Sequence, residues 1–159
     1  LDNLISDKNF AYFLAIGDNL IRKDIFNFLY KKNLNMPNLI DKNSYLDSTT
    51  NIGIANLIFY NSYIGPMVNI GNNNIINTAS VIEHDAEILD NCHLAPKSLI
   101  CGNSKLGNLC FLGANATIIN DIEICSEVTI GAGSTVIKSI NNKKAKVVGT
   151  PAKQIDIKK

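Results

Sequence analysis

Two histidines occur in the 159 residues, His84 and His93, and both lie within the stretch of the chain that repeats. Glu83 and Asp85 flank His84. An outward imidazole in that setting has two readings: a solvated surface histidine, or a general base whose tautomer one carboxylate fixes. Successive residues of a strand face opposite ways, so Asp85 reaches His84 only where the backbone turns between them. Gly102 follows His84 by eighteen residues. A glycine stacked on an imidazole leaves a backbone N–H beside the ring, as an oxyanion donor requires. His93 is nine residues from His84, on another side of any eighteen-residue coil. The two rings meet only across an interface between copies related by a three-fold axis.

These spacings matter because the chain is built on a six-residue period. Ile, Leu or Val stands at every sixth position from Ile40 to Val136, seventeen times without a gap. These three types make up 45 of 159 residues, so one unbroken register has a chance probability on the order of 10⁻⁹. The period fits neither helix nor simple strand; it fits a short strand plus a corner, three per turn of a triangular solenoid. In the fourteen hexads from Ile52 to Ile130 the fifth position is small or aliphatic in twelve and Asn in two, and the second is Gly in six. The first and fifth positions are expected to face inward, with second-position glycine supplying the freedom for the bends. Residues eighteen apart then stack at strand spacing, about 4.8 Å. Cys92 and Cys110 form such a pair, read as small buried side chains, and with Cys101 and Cys125 they show no C-x-x-C pair, so no disulfide framework is expected.

Before the coils, Phe10–Gly17 (FAYFLAIG) reads as a buried strand, Asp18 or Asn19 as an N-cap, and the following residues as a helix with Leu20, Ile21, Ile25, Phe28 and Leu29 inward, ended by Lys31, Lys32 and Asn33. A strand running almost directly from Leu1 reads as a start in mid-domain. Fifteen basic against fourteen acidic residues give a net charge of +1, which supplies no footprint for nucleic acid or a membrane surface. No apolar run approaches the length of a membrane span and no secretory leader is visible, so a cytoplasmic protein is expected. Lys143, Lys144 and Lys146 read as a solvated loop.

The hexads resemble those of the left-handed β-helix (hexapeptide-repeat) acyltransferases over about Ile40 to Lys153. Asn77–Asp85 (NTASVIEHD) resembles the N-T-x-S-x-I-x-H-[DE] motif of the bacterial nucleotide-amino-sugar N-acetyltransferase and sialic acid O-acetyltransferase group, and His93 matches its second histidine. Ala15–Arg22 resembles part of that group's sugar-nucleotide-binding domain, and Val147–Lys153 its V-x-G-x-P-A-[KR] ending. The resemblance implies a mainly β chain: a left-handed parallel β-helix with a partial N-terminal α/β (Rossmann-like) remnant. The expected divisions are 1–38 for sugar-nucleotide binding, 39–140 for the β-helix and 141–159 for a tail covering CoA. The group's glycine-rich first strand-turn-helix has no counterpart, so roughly 40 residues are expected to be missing by analogy with complete α/β units.

Carried over by resemblance, His84 is the general base, Asp85 strengthens it, and Gly102 supplies the oxyanion N–H. Asn77 and Gly17 belong to the acceptor site, and His93 touches acetyl-CoA. Gly113, Ala114, Gly131 and Ala132 give the pantetheine arm a flat bed, a role no better supported than corner formation. Lys153, with Lys138, meets the CoA phosphates. The implied assembly is a homotrimer with sites between subunits, and the implied reaction is N-acetylation of a nucleotide-linked amino sugar. Two alternatives stay open: O-acetylation of a sialic acid-type sugar, and a truncated non-catalytic solenoid. A zinc carbonic anhydrase on the same coil needs three histidines; this chain has two, so no metal is expected.

Overall fold

A computed structural model describes residues 9–155. In it the six-residue period becomes a triangular parallel β-solenoid with two-residue strands, each pairing a sixth position with the aliphatic first position that follows. The first sheet stacks Leu39–Ile40, Leu57–Ile58, Ile75–Ile76, His93–Leu94, Phe111–Leu112 and Thr129–Ile130. A second runs from Tyr45–Leu46 to Thr135–Val136 in six strands, and a third from Asn51–Ile52 to Glu123–Ile124 in five. Register is eighteen residues throughout: Leu94 lies opposite Ile76 and Leu112, and Ile100 opposite Ile82 and Ile118. The architecture is consistent with the left-handed β-helix that the resemblance implies. Ile64, Ile76, Ile82, Leu94, Ile100, Leu106, Leu112 and Ile130 have no exposed surface. Each contributes about 1.5–3 kcal/mol on burial.

The bends fall elsewhere than expected. Positive φ recurs at the fourth position of every hexad from Ala55 (φ 60) through Asp85 (φ 59) to Gly133 (φ 66), and glycine occupies only the last. Left-handed backbone costs a side-chain-bearing residue roughly 1–2 kcal/mol. In twelve of these fourteen hexads the strained residue's N–H returns to the carbonyl nineteen residues back, as Asn103 does to His84 (2.9 Å) and Asn91 to Asn72 (2.9 Å), while the Met67 N–H donates to Thr49 Oγ1 (2.8 Å). The second-position glycines answer a different demand, close approach of the next coil. A Cβ on Gly113 would lie 2.4 Å from the Ala132 nitrogen, and one on Gly53 2.6 Å from the Gly71 carbonyl oxygen.

The fifth position is more than small. Ser62, Ser80 and Ser104 donate their hydroxyls to the carbonyls fifteen residues on, of Asn77 (3.0 Å), Ala95 (3.1 Å) and Ile119 (2.8 Å). Asn56 does the same with its amide (2.9 Å to Gly71), and the thiols of Cys92 and Cys110 with theirs (3.0 Å to Gly107, 3.2 Å to Cys125). The four cysteines are free thiols.

At the N-terminal end the structure corrects two expectations. Phe10–Gly17 forms no strand: its link to a neighbour is the bridge Ala11–Asn35, with Tyr12 N–H donating to the Asn35 carbonyl at 2.9 Å. The described residues offer that segment no sheet to join. The helix, α1, spans Asn19–Lys31, with Asp18 as its N-cap accepting from the Leu20 and Ile21 amides at 2.9 Å. Its buried face is Arg22, Phe26 and Leu29, while Leu20, Ile21 and Phe28 are exposed. Phe26 and Leu29 pack with Leu14, Leu34, Met36 and Ala55 in a small core of their own, and Ile25 lies at its edge.

At the other end the chain continues the first sheet at a seventeen-residue step. Lys146 and Val147 pair with Thr129 and Ile130, and Lys153–Gln154 returns antiparallel on Val147–Val148. Among the described residues no helix is long and apolar enough to cross a membrane.

Candidate functional site

His84 is a third-position residue on the corner between the second and third sheets, immediately before the positive-φ residue Asp85. That conformation supplies the turn the sequence left open. It brings Asp85 Oδ2 within 2.8 Å of His84 Nδ1, with both side chains more than half exposed. A carboxylate accepts, so Nδ1 carries the proton and Nε2 is the free acceptor.

Gly102 is buried beneath this ring. A Cβ there would lie 2.6 Å from His84 Cε1 and 2.7 Å from Nε2. Its N–H has no partner among the described residues, and the lattice of the solenoid explains why. Sixth-, second- and fourth-position amides bond to neighbouring coils, whereas the third-position amide has no carbonyl to meet. Along the corner between the third and first sheets, side chains of the following coil cap it: Asn72 caps Ile54, Asp90 caps Asn72, Asn108 caps Asp90 and Ser126 caps Asn108, at 2.7–3.1 Å. Along the His84 corner, Asn120 turns away and donates to Asp121 instead (2.6 Å). Asn103 also donates to Asp121 (2.8 Å), and these bonds hold that carboxyl below the usual range, with His84 acting in the same direction. Imidazole, free amide and carboxylate thus share one corner.

His93 stands on the outer side of the first sheet, so the structure does not bring the two histidines together within one chain. It does bring two other expected site residues, Gly17 and Asn77, to His93. His93 Nδ1 lies 3.2 Å from the Gly17 carbonyl and Nε2 3.4 Å from Asn77 Nδ2. The Phe111 ring, one coil below, meets the imidazole edge-on at 5.3 Å. Burial lowers the His93 pKa; the Gly17 bond opposes this and the Arg22 cation adds to it.

Arg22 and Phe111 are the residues the sequence reading left without a role. Arg22 had one visible signal, its place with Phe26 and Leu29 on a single helical face; Phe111 had another, eighteen residues after His93. Arg22 is buried, its pKa is pulled down to about 10 by desolvation, and it remains cationic at neutral pH.

Gly113, Ala114, Gly131 and Ala132 line the corner between the first and second sheets, Gly113 against the Ala132 backbone. Gly131 lies under Val148 of the tail, whose Cγ1 is 2.7 Å from where its Cβ would be. Lys138 and Lys153 border a cavity of ≈ 550 Å³ at the lower end of the prism, with Val136, Ile140 and Pro151. The basic run is not simply a solvated loop. Lys143 and Lys144 pair with Glu127 (3.5 and 3.6 Å), and Lys144 and Lys146 line a second cavity of ≈ 640 Å³ with Gly17, Asn19, Phe111 and Thr129. Among the described residues no three of His, Cys, Asp or Glu converge on a metal position.

Residues 103–138 match the family model described as bacterial transferase hexapeptide (six repeats). No curated protein matches the chain. Solved structures do. A variant of GDP-perosamine N-acetyl transferase from Caulobacter crescentus, in complex with CoA and GDP-perosamine, is 27% identical over 92% of this chain and 69% of its own, with a TM-score of 0.89. The acetyltransferase domain of PglB from Neisseria gonorrhoeae is 25% identical over 97% of this chain and 75% of its own, at 0.94. The same domain in complex with acetyl coenzyme A gives 25%, 90% and 69%, at 0.88. In repeat and fold the chain is similar to these hexapeptide-repeat acetyltransferases, and these likenesses support its resemblance to the nucleotide-amino-sugar N-acetyltransferase group.

Proposed function

We propose that this chain transfers the acetyl group of acetyl-CoA to the amine of a nucleotide-linked amino sugar, such as a UDP-4-amino-4,6-dideoxy sugar, in bacterial surface glycan synthesis. The observation that carries this is the His84 corner: Asp85 on Nδ1 at 2.8 Å, and Gly102 packed beneath the ring with its N–H unpaired among the described residues. Asp85 fixes the tautomer, so His84 Nε2 takes the proton from the acceptor nitrogen as that nitrogen attacks the thioester carbonyl. The Gly102 N–H donates to the oxygen that becomes negative. His84, now protonated, returns its proton to the departing thiolate sulfur. No acyl-enzyme is formed.

Several features suit the co-substrate. Gly113–Ala114 and Gly131–Ala132 present side chains no larger than methyl along one corner, and Lys138 and Lys153 offer cations at the lower end. In this reading His93 touches acetyl-CoA, Asn77 and Gly17 belong to the acceptor pocket, and a homotrimer in the cytoplasm brings one subunit's His84 to the next subunit's His93. Residues 1–38 serve the acceptor, 39–140 the transfer and 141–159 cover CoA.

The test is acetyl-CoA binding by calorimetry, followed by turnover against a panel of 4-amino-sugar nucleotides and hydroxyl-bearing sugars. Near-stoichiometric binding, and turnover on an amine that His84→Ala abolishes, are expected. A folded chain that binds no acetyl-CoA would sink the reading and leave a non-catalytic solenoid; turnover on hydroxyls alone would make it an O-acetyltransferase.

A further inference from the structure

Arg22 is 1% exposed, yet each nitrogen of its guanidinium has a partner. Nε donates to the Asn73 carbonyl (3.1 Å), Nη1 to the carbonyls of Ile16 (2.8 Å) and Gly17 (3.4 Å), and Nη2 to Asn19 Oδ1 (2.7 Å) and the carbonyls of Asn91 and Cys92 (both 3.0 Å). A buried cation survives only when its donors are met in this way. Most of these partners are backbone carbonyls from two successive coils and from the segment leading into α1. A planar fork can reach them together, whereas an ammonium cannot.

One of those carbonyls carries a second bond. The Gly17 oxygen also faces His93 Nδ1 at 3.2 Å. A carbonyl only accepts, so Nδ1 holds the ring proton and Nε2 is left as an acceptor, facing the Asn77 amide. Little else fixes the Gly17 oxygen. Phe10–Gly17 belongs to no sheet beyond the bridge at Ala11, and nothing lies within 4 Å of where a Gly17 Cβ would be.

We propose that Arg22 is a positioning residue for His93: its guanidinium holds the Gly17 carbonyl against Nδ1 and so keeps Nε2 as the ring's acceptor. A neutral Nε2 receives an N–H or O–H, such as a pantetheine amide or an acceptor amine or hydroxyl. It does not attract the carbonyl or phosphate oxygen that an imidazolium would bind. The charged group facing the ring is Arg22 itself; Ile75, Asn77 and Phe111, its neighbours on the solenoid, bring none. That the partner of Nε2 belongs to acetyl-CoA or its acceptor rests on the functional reading above. The tautomer does not.

The experiment is long-range ¹H–¹⁵N spectroscopy of the full chain labelled at histidine nitrogen, with the two rings assigned through His93→Gln. Wild-type His93 is expected wholly as the Nδ1–H tautomer. Arg22→Gln and Arg22→Lys, each shown to be folded by cooperative melting, are expected to lose that single tautomer and show a mixture. Lysine keeps the charge without the fork, so an unchanged His93 in folded Arg22→Lys overturns the proposal, as does an Nε2–H tautomer in wild type. Should neither variant fold, Asn19→Ala removes one partner of Nη2 and retains the guanidinium. A partial shift in His93 then supports the proposal and an unchanged ring overturns it. Acetyl-CoA binding is read on the same wild-type sample: its failure beside the expected tautomer removes the functional reading and leaves Arg22 as the residue that positions His93.

Discussion

A methyl group at residue 102 would meet His84 at 2.6–2.7 Å, and what it meets is the end of an exposed, movable side chain rather than backbone. Gly102→Ala is therefore expected to swing the imidazole aside at little cost in stability, within about 0.5 kcal/mol. Displacing a base by about an ångström costs on the order of 10²-fold in rate, so kcat should fall by that factor with KM for acetyl-CoA nearly unchanged. His84→Ala should lose about 10²–10⁴-fold, the span of general-base catalysis. Equal kcat in wild type and Gly102→Ala would remove the ring position from the mechanism, since alanine keeps the backbone N–H and changes only what the imidazole meets. His93 is a separate case, because its folded-state pKa is depressed, first by burial. The unfolded chain binds that proton more readily, so the contribution of neutral His93 to stability is fully present above its unfolded pKa of about 6.5 and is lost as pH falls through the folded value. Thermal midpoints at pH 7.5 and 5.5 should show a smaller acid-side loss in His93→Gln than in wild type, and equal losses would mean that the depression is absent.

Each six-residue element hides a division of labour that its period alone does not display. The aliphatic first position reads directly from the sequence, since a side chain pointing into a prism has one acceptable character. Its counterpart at the corner does not, because the strained fourth position accepts Asn, Asp, Ala, Met, Lys, Leu and Glu: its price is met by a backbone bond and leaves no mark in residue type. The second-position glycines drew attention to the bends, yet they mark close approach between coils. Gly113→Ala, driven against the Ala132 backbone, should destabilise by about 1–3 kcal/mol. Gly133→Ala, with open space around its Cβ and only its φ to resist it, should cost less, about 1 kcal/mol. Paired denaturation curves decide between these accounts, since a larger loss at Gly133 would restore the bend explanation. Ser104 accepts from the Ile122 amide and donates to the Ile119 carbonyl, so Ser104→Ala strands buried polar groups and should cost about 1–3 kcal/mol by the same measurement. A loss under 0.5 kcal/mol would mean the fifth position is merely small. The His84–Asp85–Gly102 set was legible in the same limited way. Eighteen-residue spacing put the glycine on the histidine, but the turn that bonds Asp85 and the bare N–H row of that corner became visible only in three dimensions. Helix α1 was misread because its most buried residue is charged: Arg22 occupies the inward face, and the apolar Leu20, Ile21 and Phe28 are displaced to the outside.

At the scale of the whole molecule the two histidines set the problem, since they stand on different sides of one prism with the hydrophobic core between them. A single chain cannot use both on one acetyl group. In the trimer we propose, each site takes His84 from one subunit and His93 from its neighbour, so two inactive variants should repair one another. Mixed in equal amounts with free exchange, His84→Ala and His93→Ala chains fill each site independently. The side supplying His84 is intact half the time and the side supplying His93 half the time, so about a quarter of the sites carry both. Turnover of the exchanged mixture should thus recover toward about 25% of wild type, while either variant alone stays near its own low level. Light scattering must show the trimer, and a tagged copy must show that exchange took place. If exchange is complete and turnover does not rise, the site lies within one subunit, and His93 acts on something other than the acetyl group that His84 serves.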